Sequence, residues 1–145
     1  MAIEETLKGV ELFADLPDED LRRLAKLVVQ RQYKAGEVIV RENEAGVAFY
    51  VVASGRVEAV KGLGTEHEQV MATFGPEDFF GEMALFDNQV RATSVRAIED
   101  TECLVLTSWD FRAELQAGNC RIAIALLGVL ARRVRAMNEA VTPRF

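Results

Sequence analysis

The residues best suited to bind an anion lie near the middle of the chain. Gly81 leads into residues 82–86, which we predict to form a single helical turn between two strands. The free N–H groups at the start of such a turn attract anions. Arg91 opens the next strand, and strand periodicity places it on the same face as Val95 and Ala97. An inward-facing guanidinium needs a carboxylate or a bound anion as its partner.

The residues alone leave two interpretations of this segment open. Glu82 and Arg91 either pair with each other in a structural ion pair, or act separately on one bound ligand. Ion-pair networks occupy such positions as readily as ligand sites do, so composition and spacing do not separate the two interpretations.

Other kinds of chemistry find little support in the sequence. His67 is the only histidine and lies between two glutamates, which argues against multi-histidine metal sites and triad hydrolases. Cys103 and Cys120 form no CxxC pair, and we expect both to be buried thiols. The GxxxxGK[ST] phosphate loop is missing as well. We therefore expect no catalytic residue and no metal site, and the chain is not predicted to be an enzyme.

Charge is divided unevenly along the chain. Residues 1–118 hold 12 basic and 22 acidic residues, whereas residues 119–145 hold 5 basic residues and 1 acidic residue. The resulting charges of −10 and +4 predict poor binding to nucleic acid, because the acidic part repels phosphate. The acidic start is unlike a secretory signal, and the longest apolar run has ten residues, about half of the roughly 20 that cross a bilayer. We expect a cytoplasmic protein without membrane contact.

The spacing of apolar and turn residues predicts one α+β domain over residues 1–145. A helix follows Pro17, and a shorter helix precedes it near residues 3–9. Short strands separated by turn residues fill residues 31–107, as in an antiparallel β-roll of the jelly-roll or double-stranded β-helix type. The strand over residues 48–52 is apolar throughout, so we expect it to be covered on both faces.

Two further helices are predicted over residues 108–141. Ser108 is the expected cap of the first helix, and Gly118 ends it. Asn119 then opens a long helix that stops before Pro143.

The long helix carries two apolar stripes. One stripe repeats at alternating spacings of three and four, as in two-stranded coiled coils; its members are Cys120, Ala123, Leu127, Leu130, Val134, Met137 and Val141. The other stripe, suited to pack on the roll, consists of Ile122, Leu126 and Val129. Two stripes predict a parallel homodimer through residues 119–141, whereas a single broad stripe buried within one chain is the alternative. A solvated basic face, with Glu139 as a nearby partner, is predicted for Arg132, Arg133 and Arg135.

Two runs in the middle of the chain carry a family resemblance. They are Gly81-Glu82-Met83-Ala84-Leu85 and, after five intervening residues, Arg91-Ala92-Thr93-Ser94-Val95. Together they resemble the phosphate-binding cassette of the cyclic nucleotide-binding domain family, which includes the catabolite activator protein and the regulatory subunit of the cyclic AMP-dependent kinase. Residues 31–39, 49–57 and 76–81 also resemble strand and turn motifs of this family. The resemblance covers almost the whole chain and implies a β-roll that binds a cyclic nucleotide.

The resemblance implies a role for each residue of the cassette. Arg91 is expected to hold the cyclic phosphate, and Gly81 lets the backbone approach it. The backbone N–H groups expected to cradle the same phosphate are those of Met83, Ala84 and Ala92. Glu82 is expected to accept a hydrogen bond from the ribose 2′-hydroxyl.

Two positions of the cassette bear on ligand selectivity. Thr93 stands where family members usually have a smaller residue, and its hydroxyl either bonds the phosphate or crowds the pocket. Ala92 stands where members that prefer cyclic GMP tend to carry threonine, so the resemblance favours cyclic AMP over cyclic GMP. By the same resemblance the last helix covers the base, with Met137 and Asn138 as the expected contacts.

The resemblance also implies a regulatory output, in which the last helix moves when nucleotide binds. No output domain follows this helix in the sequence. We therefore expect either a sensor that acts through an unidentified partner protein or the sensor part of a larger transcription regulator. The alternative from a different class is a scaffold or interaction domain of the same fold that binds no nucleotide, with Glu82 and Arg91 paired.

Overall fold

Two helices and a 3₁₀ turn open the part of the chain that the computed structural model describes, residues 3–85 and 90–141. These elements are α1 (Ile3–Lys8), the turn Glu11–Phe13 and α2 (Asp18–Leu27). Three acidic residues in the first turn of α2 follow Pro17, whose φ of −59° suits a helix start. α2 ends at Leu27 because Val28 adopts an extended conformation. Both predicted N-terminal helices are present.

Antiparallel strands form the centre of the molecule, eight of them within the described residues. Their bounds are β1 (Val29–Tyr33), β2 (Val38–Val40), β3 (Ala48–Ser54), β4 (Val57–Lys61), β5 (Gln69–Phe74), β6 (Phe79–Phe80), β7 (Ser94–Ala97) and β8 (Thr101–Thr107). One sheet has the order β1-β8-β3-β6 and the other the order β2-β7-β4-β5. Strands distant in sequence are therefore neighbours in space, and the predicted antiparallel β-roll flanked by helices is confirmed.

β3 is buried on both faces, as its apolar sequence predicted. Phe49 points away from the roll and packs edge-on against Phe13, with ring centroids 6.0 Å apart. Val52 points the other way and packs inside the roll with Val57 and Phe80. Successive side chains of a strand lie on opposite faces, so β3 joins the helical layer to the interior of the roll.

Two helices follow the roll, α3 (Ser108–Gln116) and α4 (Arg121–Val141). The cap of α3 is Thr107 and not the predicted Ser108, because the Thr107 hydroxyl accepts a hydrogen bond from the amide of Asp110 at 3.3 Å. Gly118 follows α3 with a φ of 91°, a conformation that glycine adopts without strain. The predicted end of α3 is therefore confirmed, and α4 begins two residues after the predicted Asn119.

The two apolar stripes of α4 have different surroundings. The stripe that packs in the core with the N-terminal elements consists of Ile122, Leu126 and Val129, each at most 4% exposed. The outer stripe is more than half exposed at Leu127, Val134 and Met137. One apolar stripe of α4 is thus buried in the core, whereas the other is exposed at these three positions. The Val141 side chain and Pro143 lie outside the described residues.

The chain bends sharply between α3 and α4, at residues 117–120. No single helix in the described ranges is both long and apolar enough to cross a bilayer; α3 and α4 meet that criterion only as a pair bent by 119°.

The two cysteines differ in exposure. Cys120 lies between α3 and α4 and is exposed, which corrects the prediction of two buried thiols. Cys103 is fully buried in β8, and burial raises the pKa of its thiol to about 12.

Candidate functional site

A 3₁₀ turn, Glu82–Leu85, follows β6 at the position predicted for a single helical turn. Gly81 begins it with a φ of 79°, in the left-handed region that favours glycine. A β-carbon at Gly81 would collide with the guanidinium of Arg91 and lie 3.1 Å from the carbonyl oxygen of Ala48. Leu85 is 2% exposed and holds the other end of the turn in the core. Glycine therefore gives the turn its left-handed φ without strain and leaves room for the guanidinium of Arg91.

Arg91 reaches into the same region from the opposite side. The prediction that Arg91 opens the next strand is wrong, because β7 begins only at Ser94, three residues later, and Arg91 lies in the loop before it. Its backbone pairs with the turn after β2, since the Arg91 amide donates to the Glu44 carbonyl at 2.8 Å. Its guanidinium is half-buried, donates to the Ala48 carbonyl at 2.6 Å and lies 5.8 Å from the centre of the Tyr50 ring. Burial lowers the pKa of Arg91, while Tyr50 and Glu82 act in the opposite direction.

Arg91 has no carboxylate partner among the described residues. Glu82 instead pairs with Arg133 of α4, whose Nη1 lies 2.6 Å from Glu82 Oε1. The Arg133 guanidinium also stacks 4.6 Å from the centre of the Phe79 ring. Arg133 is exposed as predicted, at 49% of its side chain, but its partner is Glu82 and not the predicted Glu139. The Glu82–Arg91 pair is wrong, because α4 brings Arg133 to the carboxylate. Arg132 pairs with Glu11, at 3.7 Å.

Glu82, Arg91 and Arg133 line one cavity of about 390 Å³, a volume within the range of small-ligand sites. One part of the lining is polar and consists of Gly81, Glu82, Arg91, Ala92, Thr93 and Arg133. The apolar part includes Val40, Ala59, Phe74, Phe79 and Val95. No group in the described ranges accepts a hydrogen bond from the amides of Ala92 and Thr93. A half-buried cation, beside two amides for which the described residues offer no acceptor, suits an anion joined to an apolar group.

The predicted cassette residues lie together, with two kinds of exception. Gly81, Glu82, Arg91, Ala92 and Thr93 line the cavity. The 3₁₀ turn includes the backbone of positions 83 and 84, but the side chains of Met83 and Ala84 lie outside the described part of the chain, as does Phe86. The residues predicted to contact a base, Met137 and Asn138, are exposed on α4 and are absent from the lining, so their role stays a prediction.

Comparisons with known proteins point to one family. The family model described as "Cyclic nucleotide-binding domain" matches residues 30–117. The chain is 36% identical over 129 residues to the cyclic AMP receptor protein of Thermus thermophilus, covering 89% of this chain and 59% of that protein. It is 32% identical over 102 residues to the cGMP-dependent protein kinase 2 of Homo sapiens, covering 69% of this chain and 13% of the kinase.

Comparison with solved structures points to the same fold. The N-terminal domain of a transcriptional regulator from Streptomyces coelicolor A3(2) superimposes with a TM-score of 0.81 at 30% identity, and 94% of each chain is covered. The present chain spans 59% of its bacterial relative and 13% of the kinase. The family match includes the roll, the turn at Glu82 and the strand after Arg91. On these grounds the chain belongs to the cyclic nucleotide-binding domain family.

Proposed function

We propose that this chain is a non-enzymatic regulatory module that binds a cyclic nucleotide, preferably cyclic AMP, and transmits binding through α4. The observation that carries the proposal is Arg91, a half-buried cation without a carboxylate partner among the described residues, at a cavity of about 390 Å³. A bound phosphate supplies a counter-charge to this guanidinium through charge-assisted hydrogen bonds.

The cavity lining suggests how the ligand is oriented. The cyclic phosphate lies at Arg91 and receives hydrogen bonds from the amide of Ala92 and from the turn that begins at Glu82. The Glu82 carboxylate accepts the ribose 2′-hydroxyl. The base then lies toward the apolar part of the lining, which includes Val40 and Phe74, and α4 covers it from the side of Met137 and Asn138.

The preference for cyclic AMP rests on the side chain at position 92. Ala92 has no hydroxyl with which to bond the polar edge of guanine, whereas an apolar wall accepts adenine at little cost. The two relatives described above are a cyclic AMP receptor and a cyclic GMP-dependent kinase, so they do not decide between the two nucleotides.

Coupling to α4 follows from the Glu82–Arg133 ion pair. The same carboxylate that holds α4 through Arg133 is the proposed acceptor for the ribose, so ligand binding changes what holds the helix. A ligand shifts a conformational equilibrium only through contacts that differ between the two states. Glu82 supplies such a contact.

At the level of the whole protein we propose a cytoplasmic homodimer that pairs through the exposed stripe of α4. The relatives include a bacterial receptor protein and the N-terminal domain of a transcriptional regulator, which supports a role as the sensor part of a larger regulator. A partner protein or output domain then reads the position of α4. The ligand-free scaffold loses support because Glu82 pairs with Arg133 instead of Arg91.

Thermal unfolding with and without cyclic AMP or cyclic GMP tests the proposal. Ligand at about 100 times its Kd stabilises the folded chain by about 2.7 kcal/mol, a shift of several degrees in Tm. Arg91→Ala abolishes this shift, and the larger wild-type shift identifies the preferred base. Arg96→Ala is the matched control, because Arg96 pairs with Glu58 at 2.7 Å and does not line the cavity. A wild-type chain that neither nucleotide stabilises would rule out the module.

A further inference from the structure

The hairpin between β4 and β5 contacts the cassette from outside the cavity. Lys61, the last residue of β4, donates from Nζ to the carbonyl oxygen of Ala92 at 3.1 Å. The same Nζ lies 3.1 Å from Glu42 Oε2, in the turn after β2. Neither Lys61 nor Glu42 lines the cavity. The contact of the pair with the cassette therefore runs through the Ala92 backbone.

Glu42 is held firmly enough to orient this lysine. Its Oε1 accepts a hydrogen bond from the amide of Gly62 at 2.9 Å, and its own amide donates to the Ser94 hydroxyl at 2.9 Å. The Gly62 amide and Lys61 keep the pKa of Glu42 below its ordinary value, so the carboxylate stays ionised. Its side chain is 19% exposed, against 54% for Lys61. The lysine therefore meets a fixed carboxylate.

The turn that contains Glu42 is joined to Arg91, in the loop before β7, by further backbone hydrogen bonds. The Asn43 amide donates to the Arg91 carbonyl at 2.9 Å, and the Arg91 amide donates to the Glu44 carbonyl at 2.8 Å. The turn and the loop before β7 therefore form one hydrogen-bonded unit. Lys61 adds a contact at the next residue of this loop, Ala92.

The geometry of the peptide between Ala92 and Thr93 relates the Lys61 contact to the direction of the Thr93 amide. The C=O and N–H of a planar trans peptide point in opposite directions. Because Lys61 holds the Ala92 carbonyl on the outside, the amide of Thr93, in the same peptide, points the other way. Thr93 lines the cavity, and no described group accepts a hydrogen bond from its amide. A charged donor on the carbonyl also polarises the peptide and strengthens its N–H as a donor.

We propose that Lys61, oriented by Glu42, is a positioning residue that directs the Thr93 amide at one oxygen of the bound phosphate. The inference rests on the proposed function, because it assigns support for the anion part of the same site. It adds the Thr93 amide to the phosphate donors and makes the β4–β5 hairpin part of the binding machinery.

Binding measurements on the whole chain test this role. The variants are Lys61→Met, which removes the charge but keeps the length, Lys61→Arg as the conservative variant, and Glu42→Gln. The control is Arg96→Met, which removes an ion pair of the same sheet that does not contact the cassette. The ligands are cyclic AMP, its two phosphorothioate diastereomers, in which sulfur replaces one or the other exocyclic phosphate oxygen, and 2′-deoxy cyclic AMP.

The expected result is specific to the phosphate. Lys61→Met weakens cyclic AMP binding about tenfold, the effect of losing one well-aligned charge-supported hydrogen bond. It also changes the affinity ratio of the two diastereomers, because only one sulfur position faces the Thr93 amide. The loss caused by removing the 2′-hydroxyl stays the same, since Glu82 is untouched. Lys61→Arg restores most of the affinity, Glu42→Gln gives an intermediate loss, and all variants unfold near the Tm of Arg96→Met.

Other results overturn the proposal. If Lys61→Met binds all four ligands like Arg96→Met, the lysine does not position the amide. If it weakens all four equally and lowers Tm, Lys61 supports the fold and not the phosphate site. If the wild-type chain binds neither cyclic AMP nor cyclic GMP, the proposed function is itself wrong, and this inference fails with it. The wild-type measurement therefore separates failure of the function from failure of the positioning role.

Discussion

The position of the Arg91 guanidinium depends on the absence of a side chain at Gly81. Arg91 stretches across the start of the 3₁₀ turn to the Ala48 carbonyl, and the absent side chain of Gly81 leaves the room for it. The turn also needs the left-handed φ of 79°. Glycine thus serves two purposes here, one for the backbone and one for the guanidinium, and a matched pair of substitutions separates them.

Gly81→Ala is expected to weaken cyclic nucleotide binding by more than backbone strain explains. Both Gly81 and Gly36, whose φ is 88°, lie in the left-handed region, where alanine costs about 1–2 kcal/mol. A β-carbon at Gly36 meets nothing within 4 Å, whereas at Gly81 it displaces Arg91. Gly36→Ala therefore lowers Tm and leaves Kd unchanged, while Gly81→Ala raises Kd about tenfold or more. Calorimetric titration beside thermal unfolding makes the comparison, and equal Kd values for the two variants would refute it.

Most of the lining on the cassette side could be predicted from the sequence, because its residues lie within one short stretch with recognisable spacing. Arg133 could not be identified that way, since it lies 51 positions from Glu82 and meets it only through helix packing. A signal was nevertheless present. Arg133 lies four residues after Val129 and seven after Leu126, so it continues the stripe that α4 buries. Extending that stripe by one turn would have placed Arg133 against the roll.

At the scale of elements, α4 is held by apolar contacts in its first half and by Arg133 further along. Ile122, Leu126 and Val129 are buried, whereas every described side chain from position 131 to 139 is exposed. The Glu82–Arg133 contact is therefore a main attachment of this second half to the roll. The other ion pair of this half, Arg132 with Glu11 at 3.7 Å, is exposed on both sides and holds the helix weakly. A change at Glu82 therefore leaves this half of α4 free to move.

Arg133→Met is expected to loosen the second half of α4 and to uncouple it from the ligand. Methionine keeps an apolar contact with Phe79 but removes the ion pair with Glu82. Hydrogen exchange of residues 129–139 should become faster without ligand and respond less to cyclic AMP. Arg132→Met is the control, because its pair with Glu11, at 3.7 Å, is exposed on both sides. Identical exchange in the two variants would show that Glu82 does not hold the helix.

The elements themselves were largely predictable, except for β1 and β6, two strands that the sequence pattern does not mark individually. β1 has the sequence Val-Gln-Arg-Gln-Tyr with most of its residues exposed, so it shows no apolar alternation, and pairing with β8 makes it a strand. β6 contains two residues, Phe79 and Phe80, and exists because they pair with Val51 and Tyr50. Strands defined by their partners leave little periodic signal in their own sequence.

At the scale of the whole molecule, the acidic body and the basic last helix complement each other within one chain. Three arginines of α4 pair with the body, and the partners differ along the helix: Arg121 with Asp20, Arg132 with Glu11 and Arg133 with Glu82. The acidic excess of residues 1–118 is therefore partly matched by residues 119–145. Three of the four arginines of α4 therefore contact their own domain, whereas the outer apolar stripe stays exposed at Leu127, Val134 and Met137.

That uncovered stripe is the basis of the last prediction, a homodimer through α4. Leu127 and Val134 are 57% and 55% exposed and lie seven residues apart, the repeat that two parallel helices bury against each other. Sedimentation equilibrium is expected to give the wild-type chain twice the 16.1 kDa mass of one copy. The double variant Leu127→Glu, Val134→Glu places like charges at the contact and is expected to be monomeric. Trp109→Glu, at a position 59% exposed on α3, is the control and stays dimeric. A monomeric wild type, or a double variant that still pairs, would show that something other than a second copy covers this stripe.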